Sequence, residues 1–557
     1  MHRTCSLAPT HLSMTWLGGA CLPRCDCATD AEQFPDLWTA GLRARRFFLP
    51  ESWPYRQNFA FDRQTLMAAS VHSLIDTAYA ARSRGDCWAA AEALRQALDG
   101  SERAGEGWRR GVLLAREIGD DFAAMEMGRR YLRDVGPTPE TAHFVAEAMT
   151  DAGAADEAVA LLAPHESNLT PNARFKFTRM LMFAGRIGEA QERARALLAD
   201  NPNSPTLWER VAQTKRFAAG DPDIDAMRGV FDRWPLSRPA GRVAIAAALA
   251  KAFVDIGDDA AADLHLCARS EAFRALFPFN PEGHRAALTD IVRWCESGAV
   301  DGAATTEGSG RATFILGPNR SGTTLVEQIF ARHPEVGAGG ERRWFWLASK
   351  ALGDCGASAI AKYLDGERTR APASDPWAPI GRRYLGLADE FARGARFTDK
   401  LLSNVYRVRA IRQALPDAKI VYVKRNPLAV AWSCWRSQFD GESAWGGSPE
   451  GIALYIATYR RAMEAWISRY PGAITCVNYE DLVRFPDAEI PRVLGECGLR
   501  DHPATRAPHL SERAVATLSF AQIREPLQER GVVAGFEAYP QSVRSLREAL
   551  DAIGLEV

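Results

Sequence analysis

The chain has 557 residues, of which 47% are hydrophobic and 25% charged, and its formal net charge is −1, from 68 Lys and Arg against 69 Asp and Glu. This composition is typical of a globular protein with several domains, and it excludes a mainly disordered or collagen-like chain. The balanced charge argues against general electrostatic binding to nucleic acid, so an anion site must be a local cluster of basic groups. The sequence has no run of 18 uncharged apolar residues, and we predict no membrane span and a cytoplasmic location.

Residues 1–66 are rich in Pro, Cys and aromatic residues, and we predict an irregular N-terminal extension. Four of the eleven cysteines fall in its first 27 residues: Cys5, Cys21, Cys25 and Cys27. A zinc site would require a second pair of cysteines further along the chain, which we do not find. A lipoprotein-type site near Cys21 is another alternative, and we favour a disordered tail over both.

Six glycines recur through residues 67–297 at spacings of 34, 34, 32, 35 and 37 residues. They are Gly85, Gly119, Gly153, Gly185, Gly220 and Gly257. An alanine stands five residues after each glycine except the fifth, where Asp225 takes its place and Ala226 follows. Glycine permits a tight turn after one helix, and a small residue on the next helix lets the two backbones approach closely.

A period near 34 residues with this pattern resembles the tetratricopeptide repeat, and it predicts an α-solenoid of roughly six helix pairs. Two roles remain open for this region. The solenoid could capture a peptide or protein partner, or it could be a scaffold that stabilises the neighbouring domain or mediates self-association.

Residues 298–310 are rich in Gly, Ala, Ser and Thr and predict a linker, after which strand-like segments indicate an α/β domain over 311–557. The apolar run 312–316 predicts a strand, 317–324 a glycine-bounded loop and 325–330 the start of a helix. This order of elements is typical of a P-loop-type phosphate cradle on a parallel sheet, in which loop amides and the helix dipole face an anion.

The loop departs from the nucleoside-triphosphate pattern, because Thr323 stands where lysine is required and the cation comes earlier, as Arg320. We also find no aspartate at a strand end that could hold Mg²⁺, since the strand 419–423 runs into Lys424 and Arg425. These features argue against a P-loop kinase and predict an anion site without a metal ion.

Several segments now resemble, in order, the sulfotransferases that use 3′-phosphoadenylylsulfate (PAPS), and especially their tyrosylprotein-sulfotransferase-like and bacterial tetratricopeptide-containing branches. The segments are 320–325 with 333–334 and 340–341, 399–400 with Asn404, 425–427 with Ser433, 477–482, and 519–524 with Pro526. Two departures stand out. Asn426 replaces an aspartate common in the family, and residues 533–536 lack the usual basic-Trp pair.

The resemblance implies a role for each matching residue in transfer of a sulfuryl group from PAPS to a hydroxyl acceptor. It favours tyrosine of a peptide or protein, and a carbohydrate, a lipid or a small phenol are the alternatives. Glu341 would be the general base, Lys400 would neutralise the leaving group, and Ser519 would donate to the sulfuryl oxygens. The remaining residues would hold the nucleotide: Arg320, Ser321, Gly322, Thr323 and Thr324 the 5′-phosphosulfate, Arg425 and Ser433 the 3′-phosphate, Tyr479 the nucleoside, and Arg524 the phosphates from above.

Each assignment has a structural alternative. Glu341 could pair with Arg342 or Arg343, and Lys400 could be a solvated side chain. Arg436 and Arg524 could belong to a solvated basic face, and His333 is expected to pack rather than catalyse. The aromatic residues Trp432, Trp435, Phe439 and Trp445 are expected in the core more than in an acceptor pocket. For the whole chain, the alternatives are a non-catalytic repeat scaffold with a degenerate sulfotransferase domain, or a P-loop kinase.

Overall fold

A computed structural model of the chain describes residues 70–296, 306–350, 377–392, 394–437, 439, 441–510 and 539–555. The predicted extension with its four cysteines lies outside these residues. So do Ser519, Arg524 and the divergent segment 533–536.

Residues 71–296 fold into helices joined by short turns, as the glycine period predicts. The helices are α1 (Val71–Ser83), α2 (Cys87–Asp99), α3 (Glu106–Ile118), α4 (Asp121–Val135), α5 (Pro139–Asp151), α6 (Ala155–Leu162), α7 (Pro171–Phe183), α8 (Ile187–Asp200), α9 (Pro205–Thr214), α10 (Pro222–Arg233), α11 (Pro239–Ile256), α12 (Asp259–Leu276) and α13 (Pro281–Glu296). The helical character of this region is confirmed. Its assignment to the tetratricopeptide repeats stays a prediction.

The six repeated glycines all lie between two helices, in the left-handed region with φ between 76° and 80°. In four of these turns an aspartate follows the glycine and caps the next helix, as Asp120 does by accepting from Ala123 N at 3.1 Å. The alanine five residues after the glycine is fully buried in every pair except the fifth. There, Asp225 is exposed and Ile224 is buried instead, because an unpaired carboxylate is costly to bury.

The second half of the chain contains a parallel five-stranded sheet with the order β2-β3-β1-β4-β5. The strands are β1 (Ala312–Leu316), β2 (Val336–Ala338), β3 (Arg396–Asp399), β4 (Lys419–Lys424) and β5 (Ile474–Asn478). In register, Phe314 of β1 stands beside Asp399 of β3 and Ile420 of β4. Because the chain moves first to one side of β1 and then to the other, the carboxyl end of β1 faces the crevice where such sheets bind ligands.

The α/β domain has nine helices among the residues that the structure describes. They are α14 (Thr323–Ala331), α15 (Trp344–Ser349), α16 (Trp377–Ala392), α17 (Val408–Ala414), α18 (Pro427–Arg436), α19 (Pro449–Arg469), α20 (Tyr479–Arg484), α21 (Pro486–Glu496) and α22 (Pro540–Asp551). None of the helices in the described ranges is long and apolar enough to cross a bilayer.

The described end of the predicted linker is part of the α/β domain. Ser309 and Thr306 are buried, and Ser309 Oγ donates to Asp417 Oδ2 at 2.7 Å. The helical region and the α/β domain also share buried polar contacts at α12, where Ser270 Oγ donates to Gly447 O at 2.6 Å and Gln541 N donates to Asp263 Oδ2 at 3.2 Å. The two regions therefore pack directly against each other.

Candidate active site

The loop 317–324 follows β1 and is shaped by residues that tolerate little change. A Cβ on Gly317 would lie 2.5 Å from Ser321 Oγ and 2.9 Å from the carbonyl oxygen of Val423. Gly322 has φ 104°, and a Cβ there would lie 2.3 Å from the ring of Tyr479. Arg320 has φ 69° and is the one non-glycine residue with positive φ in the described ranges. Strain of this kind persists where the surrounding structure enforces it, often at functional sites.

Two tyrosines on α19 hold the loop from below. Gly317 N donates to Tyr459 Oη at 3.0 Å, and Asn319 N donates to Tyr455 Oη at 3.0 Å. Tyr459 in turn donates to the carbonyl oxygen of Leu402 at 2.8 Å, so one hydroxyl joins the loop after β1 to the segment after β3. These contacts satisfy buried backbone groups and fix the loop against the sheet.

The predicted nucleotide residues at the ends of β1, β4 and β5 form one cluster. Arg320 Nε donates to Ser433 Oγ at 3.0 Å, and Arg425 Nη1 donates to the carbonyl oxygen of Arg320 at 3.0 Å. The Arg425 guanidinium lies 4.3 Å from the ring centroid of Tyr479. Burial lowers the pKa of Arg320, and the nearby guanidinium groups of Arg436 and Arg425 act in the same direction. The residues predicted to bind the 5′-phosphosulfate and those predicted to bind the 3′-phosphate are thus in direct contact and form one cluster.

The other loop residues also face the protein interior. Ser321, Thr323 and Thr324 are buried, and the Ser321 hydroxyl has no hydrogen-bond partner among the described residues. A buried hydroxyl without a partner is unfavourable, so a ligand acceptor at this position would complete the site.

The predicted base and the predicted leaving-group cation are in direct contact. Lys400 Nζ lies 2.5 Å from Glu341 Oε1. The Lys400 side chain is 1% exposed and the Glu341 side chain 46% exposed, so the pair has a buried ammonium and an accessible carboxylate. Glu341 therefore pairs with Lys400 and not with Arg342 or Arg343, and the alternative of a solvated Lys400 is wrong.

A buried glutamate on α14 positions the segment that leads to Glu341. Glu327 Oε1 accepts from Gly340 N at 2.8 Å and from Thr398 Oγ1 at 3.1 Å. Lys400 N also donates to the carbonyl oxygen of Gly340 at 2.8 Å. The helix of the phosphate loop, the end of β3 and the turn after β2 are thus linked at one edge of the sheet.

An aspartate does end a strand next to the phosphate loop, although we expected none that could hold Mg²⁺. Asp399 ends β3, next to β1, which is where a metal-binding acid would stand in a P-loop kinase. Its side chain is fully buried and accepts from Leu401 N at 3.1 Å, Asn404 Nδ2 at 3.2 Å and Tyr384 Oη at 3.2 Å. Burial raises the pKa of the Asp399 carboxyl to about 7. Its oxygens are thus engaged by protein donors, two from the segment that carries Lys400 and one from α16.

Asn426, a departure from the family pattern, has a clear local role. Its side chain accepts from Ala429 N at 3.0 Å and caps α18. Asparagine and aspartate are equivalent N-caps, so this departure leaves the helix start intact.

The structure also describes other residues for which we left alternatives open. Trp432, Trp435 and Trp445 are buried, and the Trp445 ring stacks on Tyr455 with centroids 3.8 Å apart, so these aromatic residues belong to the core as expected. Arg436 is exposed and lies over Trp432. His333 is buried, and its Nε2 lies 3.0 Å from the carbonyl oxygen of Arg500, which agrees with a packing role.

Sequence reasoning missed the residues that support the site from behind. They are Glu327, Tyr384, Tyr455 and Tyr459. The four-residue spacing of the two tyrosines placed them on one helix face, but nothing in the sequence indicated that this face meets the phosphate loop.

Comparison with known proteins finds sequence similarity in the α/β domain. Residues 312–503 match the sequence model described as the Sulfotransferase family. An uncharacterised protein of Aquifex aeolicus is 29% identical over 240 residues, which cover 40% of this chain and 30% of that protein. Nodulation protein NoeE of Sinorhizobium fredii is 29% identical over 212 residues, which cover 33% of this chain and 49% of that protein. The chain thus spans less than half the length of each relative.

Solved structures also align with this chain. The sulfotransferase domain from the curacin biosynthetic pathway has a TM-score of 0.30 and 15% identity, and the match covers 44% of this chain and 98% of that domain. Sulfotransferase STF1 of Mycobacterium tuberculosis has a TM-score of 0.26 and 12% identity, covering 61% of this chain and 100% of that protein. The region 312–503 is thus similar in sequence to the Sulfotransferase family.

Proposed function

We propose that this protein transfers a sulfuryl group from PAPS to a hydroxyl acceptor. The observation that carries the proposal is the contact of Arg320, a half-buried arginine in the phosphate loop, with Arg425 and Ser433 at the carboxyl ends of the strands, where the Glu341–Lys400 pair also lies. The arginines supply positive charge for a nucleotide that carries a 3′-phosphate and a 5′-phosphosulfate. The Glu341 carboxylate can accept the proton of the acceptor.

At the nucleotide end, the planar guanidinium of Arg320 would donate hydrogen bonds to two oxygens of the 5′-phosphosulfate, and the backbone amides of the loop would donate to the other oxygens. The unpartnered Ser321 hydroxyl would donate to the same group. Arg425 and Ser433 would bind the 3′-phosphate, while Tyr479 would contact the nucleoside from the end of β5. A hydrogen bond to a charged group contributes about 1.5–3 kcal/mol, which corresponds to about one to two decades of preference over a nucleotide that lacks this phosphate.

At the reacting end, the acceptor hydroxyl would attack sulfur in line with the bond to the 5′-phosphate. The new bond joins the acceptor oxygen to sulfur, the bond from sulfur to the phosphate oxygen breaks, and the proton passes to the Glu341 carboxylate. Lys400 and Arg320 would stabilise the charge that develops on the leaving phosphate oxygen. Ser519 would contribute a donor to the sulfuryl oxygens and Arg524 a contact to the phosphates. No metal ion is required, because guanidinium and ammonium groups supply the positive charge.

Tyrosine of a peptide or protein is the acceptor that the resemblance favours. The helical region is compatible with this acceptor, because a helical repeat can bind an extended peptide. An acceptor panel would therefore compare a tyrosine peptide with a small phenol and with a carbohydrate alcohol.

The first test is calorimetric binding of 3′,5′-adenosine bisphosphate in the absence of metal, with AMP as the comparison. We expect tight binding of the bisphosphate, weak binding of AMP, and loss of the difference in Arg425→Ala. Arg500→Ala is a matched control, because Arg500 is 92% exposed and pairs with Glu335 at 3.5 Å. Equal binding of the two nucleotides would overturn the PAPS assignment.

Turnover of PAPS with the acceptor panel completes the test. Binding without sulfuryl transfer to any acceptor would favour a non-catalytic scaffold. Turnover of ATP that depends on Mg²⁺ would favour a P-loop kinase and would give the aspartate at the end of β3 a metal-binding role.

A further inference from the structure

We propose that the helical region is a positioning element of the active site, which fixes the backbone of Glu341 through the two arginines that follow it. Arg343 contacts the turn of the second helix pair at Gly119, and Arg342 contacts the turn of the third helix pair at Gly153. This inference rests on the proposed function, since it assigns to the helical region the orientation of the general base.

Arg342 bridges the two parts of the molecule. Its Nε donates to the carbonyl oxygen of Gly339 at 3.1 Å, and its Nη2 donates to the carbonyl oxygen of Ala152 at 2.8 Å. Ala152 is the C-cap of α5, and a Cβ on the neighbouring Gly153 would lie 3.1 Å from the same Nη2 atom. One planar guanidinium thus joins the turn before Glu341 to the turn of the third helix pair.

Arg343 makes the corresponding contact with the second helix pair. A Cβ on Gly119 would lie 3.0 Å from Arg343 Nε, and Arg343 Nη2 lies 3.8 Å from Asp121 Oδ1. Burial raises the pKa of Asp121 to about 6, while the Arg343 and Arg342 charges oppose this rise. Glycine is needed at this turn for its left-handed backbone, and here its missing side chain also leaves room for the arginine.

Charged contacts near Arg342 and Arg343 hold the helical region against the α/β domain. Arg95 of α2 lies 2.9 Å from the capping aspartate Asp120 and also pairs with Glu390 of α16. Arg383 of α16 lies 2.9 Å from Glu92 and 3.7 Å from the ring centroid of Trp88. The helical region is therefore joined to the α/β domain by several charged contacts, and these lie beside the segment that carries Glu341.

The segment before Glu341 is fixed differently, by the α/β domain itself. Gly339 N donates to the carbonyl oxygen of Thr398 at 3.0 Å, and Gly340 N donates to Glu327. Glu341 is thus held on one side by the sheet and on the other by the helical region. Loss of either side should let the carboxylate move, and a displacement of about 1 Å typically costs about 100-fold in rate.

The test compares Arg342→Ala with Arg342→Lys, which cannot reproduce both hydrogen bonds, and with Arg193→Ala. Arg193 pairs with Glu166 at 2.7 Å inside the helical region, so its loss reports a general weakening of that region. A second pair of variants is Gly153→Ala and Gly257→Ala. Both glycines have nearly the same φ, but the first has Arg342 beside it and the second has nothing within 4 Å.

Two measurements distinguish a positioning role from a loss of stability. The first compares the change in kcat with the change in affinity for 3′,5′-adenosine bisphosphate. The second is the rate at which an amine-reactive reagent labels Lys400. We expect Arg342→Ala to lower kcat about 10- to 100-fold at unchanged nucleotide affinity, with a smaller fall in Arg342→Lys. We also expect faster Lys400 labelling, because Glu341 no longer covers the ammonium. Gly153→Ala should show both effects more weakly, and Gly257→Ala neither.

The proposal is overturned if Arg342→Ala matches Arg193→Ala in kcat and in Lys400 labelling. It is also overturned if nucleotide affinity falls together with kcat, because the whole domain would then be disturbed. If the unmodified protein transfers no sulfuryl group, the proposed function fails, and Lys400 labelling still decides whether the helical region positions Glu341.

Discussion

Lys400 Nζ and Glu341 Oε1 are 2.5 Å apart, and the two residues are 59 positions apart in the chain. The ammonium is fully buried while the carboxylate is half exposed. Burying a charge is favourable only when a partner is present, so Glu341 stabilises Lys400 in the absence of substrate. In the proposed reaction, the same cation would stabilise the charge that develops on the leaving group.

Replacing the proposed base should abolish most of the transfer without affecting nucleotide binding. Glu341→Gln keeps the size of the side chain but removes the basic oxygen, and we expect kcat to fall about 10²- to 10⁴-fold. The affinity for 3′,5′-adenosine bisphosphate should stay unchanged. Glu335→Gln, at a partly exposed site, is the control. Full activity of Glu341→Gln in a steady-state assay would remove Glu341 from the mechanism.

Gly322→Ala should prevent nucleotide binding, because a methyl group at this position would overlap the Tyr479 ring. Gly472→Ala is the matched control, since Gly472 also has positive φ but no atom within 4 Å of the added carbon. The left-handed backbone alone costs about 1–2 kcal/mol in both variants. Thermal unfolding and calorimetric binding would be compared, and equal behaviour of the two variants would contradict the predicted close approach of Tyr479.

Tyr459→Phe should destabilise the protein more than the loss of an ordinary tyrosine hydroxyl. It leaves Gly317 N and the carbonyl oxygen of Leu402 without this partner, and each buried unsatisfied group costs about 1–3 kcal/mol. Tyr131→Phe is the control, because Tyr131 donates to Glu106 in the helical region, at 2.8 Å. Urea unfolding would measure the difference, and equal midpoints would contradict the bridging role.

Ser321→Ala should separate ligand binding from folding stability. The Ser321 hydroxyl is buried without a partner among the described residues, so its removal should leave the unfolding midpoint unchanged or raise it. The affinity for 3′,5′-adenosine bisphosphate should fall about tenfold, which corresponds to about one hydrogen bond to a charged group. Unchanged affinity would show that the hydroxyl does not face the phosphate.

Asp399 should give the protein a dependence of stability on pH. Burial raises the pKa of its carboxyl to about 7, well above that of an unfolded aspartate, so the folded state binds the proton more tightly. This contribution is complete below about pH 4 and is lost as the pH rises through about 7, by at most about 1.4 kcal/mol per pH unit. Urea midpoints of the wild type should therefore fall relative to Asp399→Asn over this range, and parallel curves would contradict the prediction.

The sequence by itself determined the helical region and the phosphate loop, because both depend on residues close together in the chain. Gly119 and Gly153 mark turns through their backbone freedom, and the buried alanines follow from helical spacing. Likewise, the strand, glycine loop and helix around Arg320 form a continuous segment. At the fifth glycine the small residue is replaced by Asp225, and the sequence itself showed this departure from the repeat.

The tertiary structure decided which distant residues meet. The sheet order brings the end of β3 beside β1, which pairs Lys400 with Glu341 and places Asp399 next to the strand that leads into the phosphate loop. The contact between Tyr459 and Gly317 spans 142 residues, and that between Arg342 and Ala152 spans 190. Periodicity and spacing carry no information on such pairs, because they depend on the packing of whole elements and on the burial of charge that this packing enforces.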